Sequence, residues 1–278
     1  MTLGSLSIFT EPFMVHACIA GTVVALVCGA VGSLLVLRSE VFTADALSHV
    51  AFTGAMAALV FGVALGLGLI VACVGAAIVL VLLGRRVGSS DATIGSVFAW
   101  VLGLGTLLLA IATTRGVDST QGVAVLFGSI LTISTASVIS TVVLGAVALV
   151  AIAILGRPLV FSSIDRAVAE ARGIPVLLIS GIFAIVVALA TAMAVQAVGA
   201  LLFVGLIAAP AGAADRLTGN PYRAVVWSMG LATASVWGGL IITGFVPTIP
   251  AAPAIIGVAA VVFCVTALIE NRRRHRAG

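Results

Sequence analysis

Charge is what this sequence has least of. Only 8% of its 278 residues are Asp, Glu, Lys or Arg, where a soluble domain carries about 25%. Lysine is missing altogether, so all thirteen basic residues are arginine. Hydrophobic residues make up 62% of the chain and the mean hydropathy is +1.37. No stretch is long and polar enough for an independent soluble domain. There is no G-x-x-x-x-G-K-[ST] phosphate loop, which excludes ATP hydrolysis by that route. No H-E-x-x-H or G-x-S-x-G motif is present to support an intramembrane enzyme. There is no C-x-x-C either. Cys18, Cys28, Cys73 and Cys264 all lie in apolar runs and read as small buried hydrophobes.

What the chain has is long apolar runs, hydrophobic all round rather than alternating. That pattern indicates an all-α, polytopic membrane helical bundle and not a barrel. A span needs about 20 apolar residues, so about nine fit. Candidate spans are 13–37, 45–64, 69–83, 92–113, 136–155, 174–195, 197–213, 224–246 and 251–270. The opening MTLGSLSIFTEPF has no basic n-region, so the first run is expected to be a retained span. Between the fourth and fifth spans, LFGSIL (126–131) is an apolar island better suited to a re-entrant or interfacial helix. Residues 1–278 are expected to form a single transmembrane domain.

The arginines orient the bundle. With nine spans and the N-terminus outside, twelve arginines fall on one side: Arg38, Arg85, Arg86, Arg157, Arg166, Arg172, Arg216, Arg223, Arg272, Arg273, Arg274 and Arg276. Only Arg115 falls on the other. The positive-inside rule then makes the C-terminus cytoplasmic. The tail 271–278 reads as a basic anchor beside anionic membrane lipid.

Two segments interrupt the apolar pattern. RPLVFSSIDRAVAEARGIP (157–175) is the longest polar stretch inside the chain. Ser162 or Ser163 is positioned to cap a short helix bearing Asp165, Arg166, Glu170 and Arg172, which Gly173 and Pro175 would end. It reads either as a docking surface for another protein or as a solvated loop. Further on, Gln196 and Gly199 mark a turn between two spans. Pro210, between Gly205 and Gly212, suggests a broken helix whose carbonyls face a cavity.

The two ionisable residues that matter most are Asp45 and His49, in SEVFTADALSHVAFTG. Four residues apart, they share one helix face. Ionisable groups inside a membrane are costly and mark functional paths. A carboxylate oxygen beside an imidazole nitrogen suits zinc, manganese or iron(II) rather than copper(I). Two ligands are too few for a closed structural site but suit a transit site; the competing reading is a buried ion pair. Glu11, His16 and Asp118 lie near the outer face and Asp215 and Glu270 at the cytoplasmic boundary, all read as solvated. Asp91 is placed to cap the fourth span.

Four stretches, in order, resemble the ABC-3 family of metal-ABC-transporter permeases. GSLLVLRSEVFTADALSHVAFTG is similar to its G-S-x-x-V-L-R leading into D-A-[LI]-[SA]-H with a Gly five residues on. SSDATIGSVFA looks like its E-D-x-x-I-G, LFGSIL like L-F-G-N-I-L, and VGALLFVGLIAAPAGAADRL like V-G-x-L-L-V-x-x-L-[IL]-x-x-P-A-x-x-A. The likeness runs from about Phe13 to Leu268. Departures are Phe52-Thr53 where Leu-Pro is common, Ser129 for Asn, and Ala209 before Pro210; they bear on which metal is carried.

The resemblance implies a homodimer of permeases, each copy on a cytoplasmic ATP-binding subunit and fed by an extracytoplasmic metal-binding protein. It implies that Asp45 and His49 lie on the metal path. It also implies that 157–175 contacts the ATPase, with Ala169 to Gly173 similar to the coupling segment of the related cobalamin and siderophore permeases. The expected cargo is zinc or manganese, with no resident cofactor and no nucleic-acid partner. A permease for an iron-siderophore, haem or cobalamin-type cargo is the alternative, and would not need Asp45 and His49. A gradient-driven carrier is a second one, although no internal repeat is visible.

Overall fold

The computed structural model describes residues 11–83, 91–116, 119–128, 130–246 and 248–277, with backbone alone at 83, 91–98, 119, 166 and 273–277. Among the described residues there is no strand. Eleven α-helices run in order through the described residues: α1 (Pro12–Leu37), α2 (Val41–Phe61), α3 (Leu65–Leu83), α4 (Asp91–Thr114), α5 (Ser119–Phe127), α6 (Thr135–Ile164), α7 (Arg166–Ala171), α8 (Val176–Val198), α9 (Phe203–Leu217), α10 (Pro221–Phe245) and α11 (Ala251–Ala277). A 3-10 turn at Ile130–Thr132 lies between α5 and α6. Seven of these helices are long and apolar enough to cross a membrane: α1, α2, α3, α6, α8, α10 and α11. Of the remaining expected spans, α4 offers a shorter apolar stretch, Ala99–Thr114, and α9 has 15 residues.

The helix ends follow local chemistry. Pro12 and Pro221 open α1 and α10 at positions where the missing N–H costs nothing, and Asn220 caps the amides of Tyr222 and Arg223. Gly62, Gly116, Gly128, Gly173 and Gly199 all take positive φ just past a helix end. Ser39 does the same after α1 without being glycine, at φ 55°.

Three expectations need correcting. The fifth span does not stop at 155: α6 has 30 residues and carries Pro158 inside it. At about 1.5 Å per residue it is about 45 Å long, longer than a hydrocarbon core of about 30 Å. The interfacial helix near 126–131 lies earlier, as α5, and the island itself is its end and a turn. Burial of the cysteines is not general, since Cys28 and Cys73 are buried while Cys18 is intermediate and Cys264 exposed. Arg85, Arg86, Asp118 and Ser129 lie outside the described residues, as does the side chain of Asp91, the first residue of α4.

The chain forms two compact units from interleaved segments: 1–41, 129–149 and 204–278 in one, 42–128 and 150–203 in the other. In the first, α1 packs on α10 through small residues. A Cβ at Gly29 would stand 2.6 Å from Met229 Cα, and one at Gly21 2.8 Å from Val236 Cγ1. Trp237 Nε1 donates to Thr22 Oγ1 at 2.9 Å across the same contact. Gly239 likewise admits the backbone of Ile255 at the α10–α11 crossing. In the second unit α3 packs on α8, and Gly54 of α2 faces Gly68 of α3, where either Cβ would meet the other's carbonyl oxygen at 2.5–2.6 Å. With no hydrophobic effect to drive helices together in lipid, such close backbone approach supplies the packing energy. Large apolar side chains on the outside, among them Val71, Trp100, Ile154, Val226 and Val261, are more than half exposed, as hydrocarbon contact requires.

Candidate metal path

The candidate path residues stand on α2, and a tight turn precedes it. Helix α1 ends in a Schellman motif: Ser39 N–H donates to Val36 O and Glu40 N–H to Leu35 O at 2.9 Å. Arg38 folds back to pair with Glu40, Nη2 to Oε1 at 3.0 Å, its side chain only 14% exposed. Asp45 falls on the second turn of α2.

Asp45 Oδ1 lies 3.7 Å from His49 Nε2. That is beyond hydrogen-bond range, so the pair attracts without being closed by a shared proton. The His49 side chain is 9% exposed and that of Asp45 35%. One candidate ligand is thus buried while the other stays accessible. The structure brings the two predicted ligands together. Among the described residues no group of three or more His, Cys, Asp or Glu gathers as a metal cage. The pair can offer one oxygen and one nitrogen, leaving the remaining positions of a metal's shell for water or carrier ligands.

Around the pair, α2 is held on two sides. Cys73 Sγ of α3 reaches Leu47 O at 3.7 Å, and the Gly54–Gly68 contact follows two turns along α2. The glycine five residues after the histidine is therefore a packing glycine. On the other side Thr53 Oγ1 donates to Val101 O of α4 at 2.8 Å and lies 3.1 Å from His49 O. At the far end of α2, Arg115 Nη1 donates to Val60 O at 3.2 Å, capping the helix C-terminus. The sequence reading missed Thr53, although it stands four residues beyond His49 in the same stripe as Asp45.

The polar segment 157–175 does carry a short helix, α7. Asp165, not Ser162 or Ser163, caps α7, its carboxylate accepting from Val168 N at 3.0 Å. Both serines instead bond back to Leu159 O inside α6, because α6 runs on past them. Ala169 is buried; its carbonyl accepts from Ile174 N and that of Glu170 from Gly173 N, with Gly173 at φ 77°. The A-x-x-x-G spacing is thus a Schellman motif. Arg172 lies over the Phe161 ring at 5.4 Å, leaving Glu170 on the exposed side. Arg166 opens the helix, and its side chain lies outside the described residues.

Pro210 is a correction. Helix α9 runs unbroken through it, and Pro210 is buried. The non-helical stretch lies earlier, at Gly199 to Leu202. There Ala200 and Leu201 amides donate to Val125 and Leu126 carbonyls at 3.1 and 3.2 Å. Two of the motif stretches, LFG at 126–128 and VGALL at 198–202, therefore meet backbone to backbone. Of the boundary charges, Arg216 pairs with Glu270 at 3.7 Å and stacks on Phe263 at 4.5 Å. His16 sits half-buried in α1, and Glu11 precedes that helix, exposed.

Comparison with known proteins agrees with this arrangement. The "Manganese import system permease protein ScaB" of Streptococcus parasanguinis is 29% identical over 268 residues, covering 94% of this chain and 92% of that one. The "Manganese transport system membrane protein MntC" of Halalkalibacterium halodurans is 31% identical over 208 residues, 74% of this chain and 70% of that one. Among solved structures, "PsaBC from Streptococcus pneumoniae in complex with Fab" superposes with a TM-score of 0.84 at 27% identity, covering 96% and 95% of the two chains. The model of the "ABC 3 transport family" matches residues 10–270. The chain belongs to that family, as a multi-pass permease of the plasma membrane and not an ATPase.

Proposed function

We propose that this chain is the membrane permease of an ABC importer that moves a divalent transition metal, manganese or zinc, into the cytoplasm. The observation that carries the reading is the Asp45–His49 pair, an oxygen and a nitrogen 3.7 Å apart on one face of an otherwise apolar helix. Relatives named as manganese permeases over almost the whole chain support the cargo class. An importer of large chelates would have no use for that pair.

The topology we infer has nine passes: α1, α2, α3, α4, α6, α8, α9, α10 and α11. The N-terminus is outside and the tail 271–278 cytoplasmic, so that α7 is on the same side as the arginines. With 15 residues, α9 is about 22 Å long, so the Gly199–Leu202 turn before it would complete its crossing. The partners are a cytoplasmic ATP-binding subunit, an extracytoplasmic metal-binding protein and a second copy of this chain.

Metal released by the carrier enters the pathway and exchanges part of its water for Asp45 and His49. Because only two side chains of each chain hold it, release costs less than from a four-ligand cage. Nucleotide-driven closure of the ATPase subunits moves α7, whose residues Asp165, Arg166, Ala169, Glu170, Arg172 and Gly173 form the contact, and switches access from outside to inside. No resident cofactor takes part; the metal is cargo.

The test is ATP-dependent uptake of labelled manganese and zinc into vesicles holding the complete complex, with Asp45→Ala and His49→Ala beside it. Uptake should fall by about tenfold or more in both variants while ATP hydrolysis persists. Undiminished uptake would reduce the pair to a structural contact, and absence of any metal uptake by the unaltered complex would overturn the cargo assignment.

A further inference from the structure

Asp45, His49 and Thr53 stand at four-residue intervals on α2, one polar stripe on a single face. The first two are the candidate ligands; the third is occupied elsewhere. Its hydroxyl proton lies between two carbonyl oxygens, that of Val101 on α4 at 2.8 Å and that of His49 at 3.1 Å. The shorter contact joins two helices, and the longer one touches the residue that carries the imidazole.

The Val101 carbonyl is reachable for a reason. One helical turn beyond it is Gly105, where a Cβ would come within 2.7 Å of Thr53 Oγ1 and 2.9 Å of the Phe52 ring. The missing side chain lets α4 approach α2 closely enough for a threonine hydroxyl to span the gap. Inside a membrane a hydroxyl without a partner costs free energy, so this bond holds the two helices in one register. On its other side α2 is fixed by Gly54 against Gly68 of α3. The turn bearing His49 therefore has its position set by α3 and α4 together.

We propose that Thr53 is a positioning residue for metal transit: by anchoring the His49 turn of α2 to the α4 backbone, it fixes where the imidazole stands against α4. This rests on the assignment of Asp45 and His49 to the metal path. Groups that hold a metal-binding histidine in place act on metal affinity, by about 10–100-fold when removed.

The experiment measures manganese and zinc uptake against concentration in vesicles carrying the whole complex. Thr53→Val keeps the side-chain shape and removes the hydroxyl. It should raise KM by about tenfold or more, leaving maximal rate, subunit assembly and ATP hydrolysis close to normal. Thr53→Ser restores the hydroxyl and should restore KM. Thr53→Ala removes the hydroxyl without adding bulk and should match Thr53→Val, which keeps the test open if the valine variant fails to assemble. An unchanged KM in both Thr53→Val and Thr53→Ala would overturn the proposal. So would a serine variant as impaired as valine, since the hydroxyl would not be the cause. Asp45→Ala in the same preparation separates the two ideas: if it alone transports normally, the metal-path assignment fails on its own account.

Discussion

Gly128 and Gly199 meet backbone to backbone, both in the left-handed region, at φ 82° and 92°. A Cβ on Gly128 would run into the Val198 carbonyl carbon, and one on Gly199 would come within 2.5 Å of Gly128 N. Neither position has room for a side chain, and neither backbone conformation favours one. Beside them, the Ala200 and Leu201 N–H groups donate hydrogen bonds to the Val125 and Leu126 carbonyls at the end of α5.

Replacing either glycine should therefore be costly. The left-handed backbone alone costs an L-residue about 1–2 kcal/mol, and the collision adds to it. Gly199→Ala and Gly128→Ala should each lower the melting temperature of the detergent-purified permease, while Gly219→Ala, at a site with open space around it, should not. Equal melting curves for all three would show that the junction relaxes around a methyl group.

Ser39 predicts the opposite sign. It holds a left-handed turn that glycine holds with less strain, and its backbone bonds survive the change. Ser39→Gly should leave the Schellman motif intact and stabilise the folded chain by up to about 1 kcal/mol, part of the gain being lost to a freer unfolded chain. Thermal unfolding of the two proteins side by side reads the difference. A lowered midpoint would mean that the serine side chain makes a contribution of its own.

The α7 cap gives a prediction about coupling. Asp165→Ala removes the acceptor for Val168 N–H and should weaken the short helix by about 1 kcal/mol, whereas Asp165→Asn keeps an acceptor there. In the assembled complex the alanine variant should show less uptake per ATP hydrolysed, and the asparagine variant should lie nearer the unaltered protein. If the two variants behave alike, the cap is not what α7 contributes.

How much of this could be read in the sequence depends on whether the signal was local. Asp45 and His49 were legible because one helical turn separates them, and Gly173 because the A-x-x-x-G spacing carries its own termination chemistry. The choice of Asp165 over Ser163 was not legible. Both are good caps, and the decision rests on α6 continuing through Pro158, which packing allows and propensity opposes. Pro210 misled for the same reason, since an internal proline does not break a helix whose neighbours hold it. Thr53, Gly105 and the Gly128–Gly199 junction act across distant parts of the chain, where a linear pattern has nothing to show.

Arg115 bears on how a cation approaches. In the nine-pass topology it is the one arginine on the outer face, and its guanidinium sits against the Val60 carbonyl at the end of α2. A helix C-terminus carries about half an elementary negative charge. A doubly charged ion arriving there meets a local charge reduced to about half that of a bare guanidinium, further screened over about 8 Å of saline. In the proposed topology, seating the arginine on a helix end thus lowers the repulsion that a cation meets at the outer face while keeping the cap.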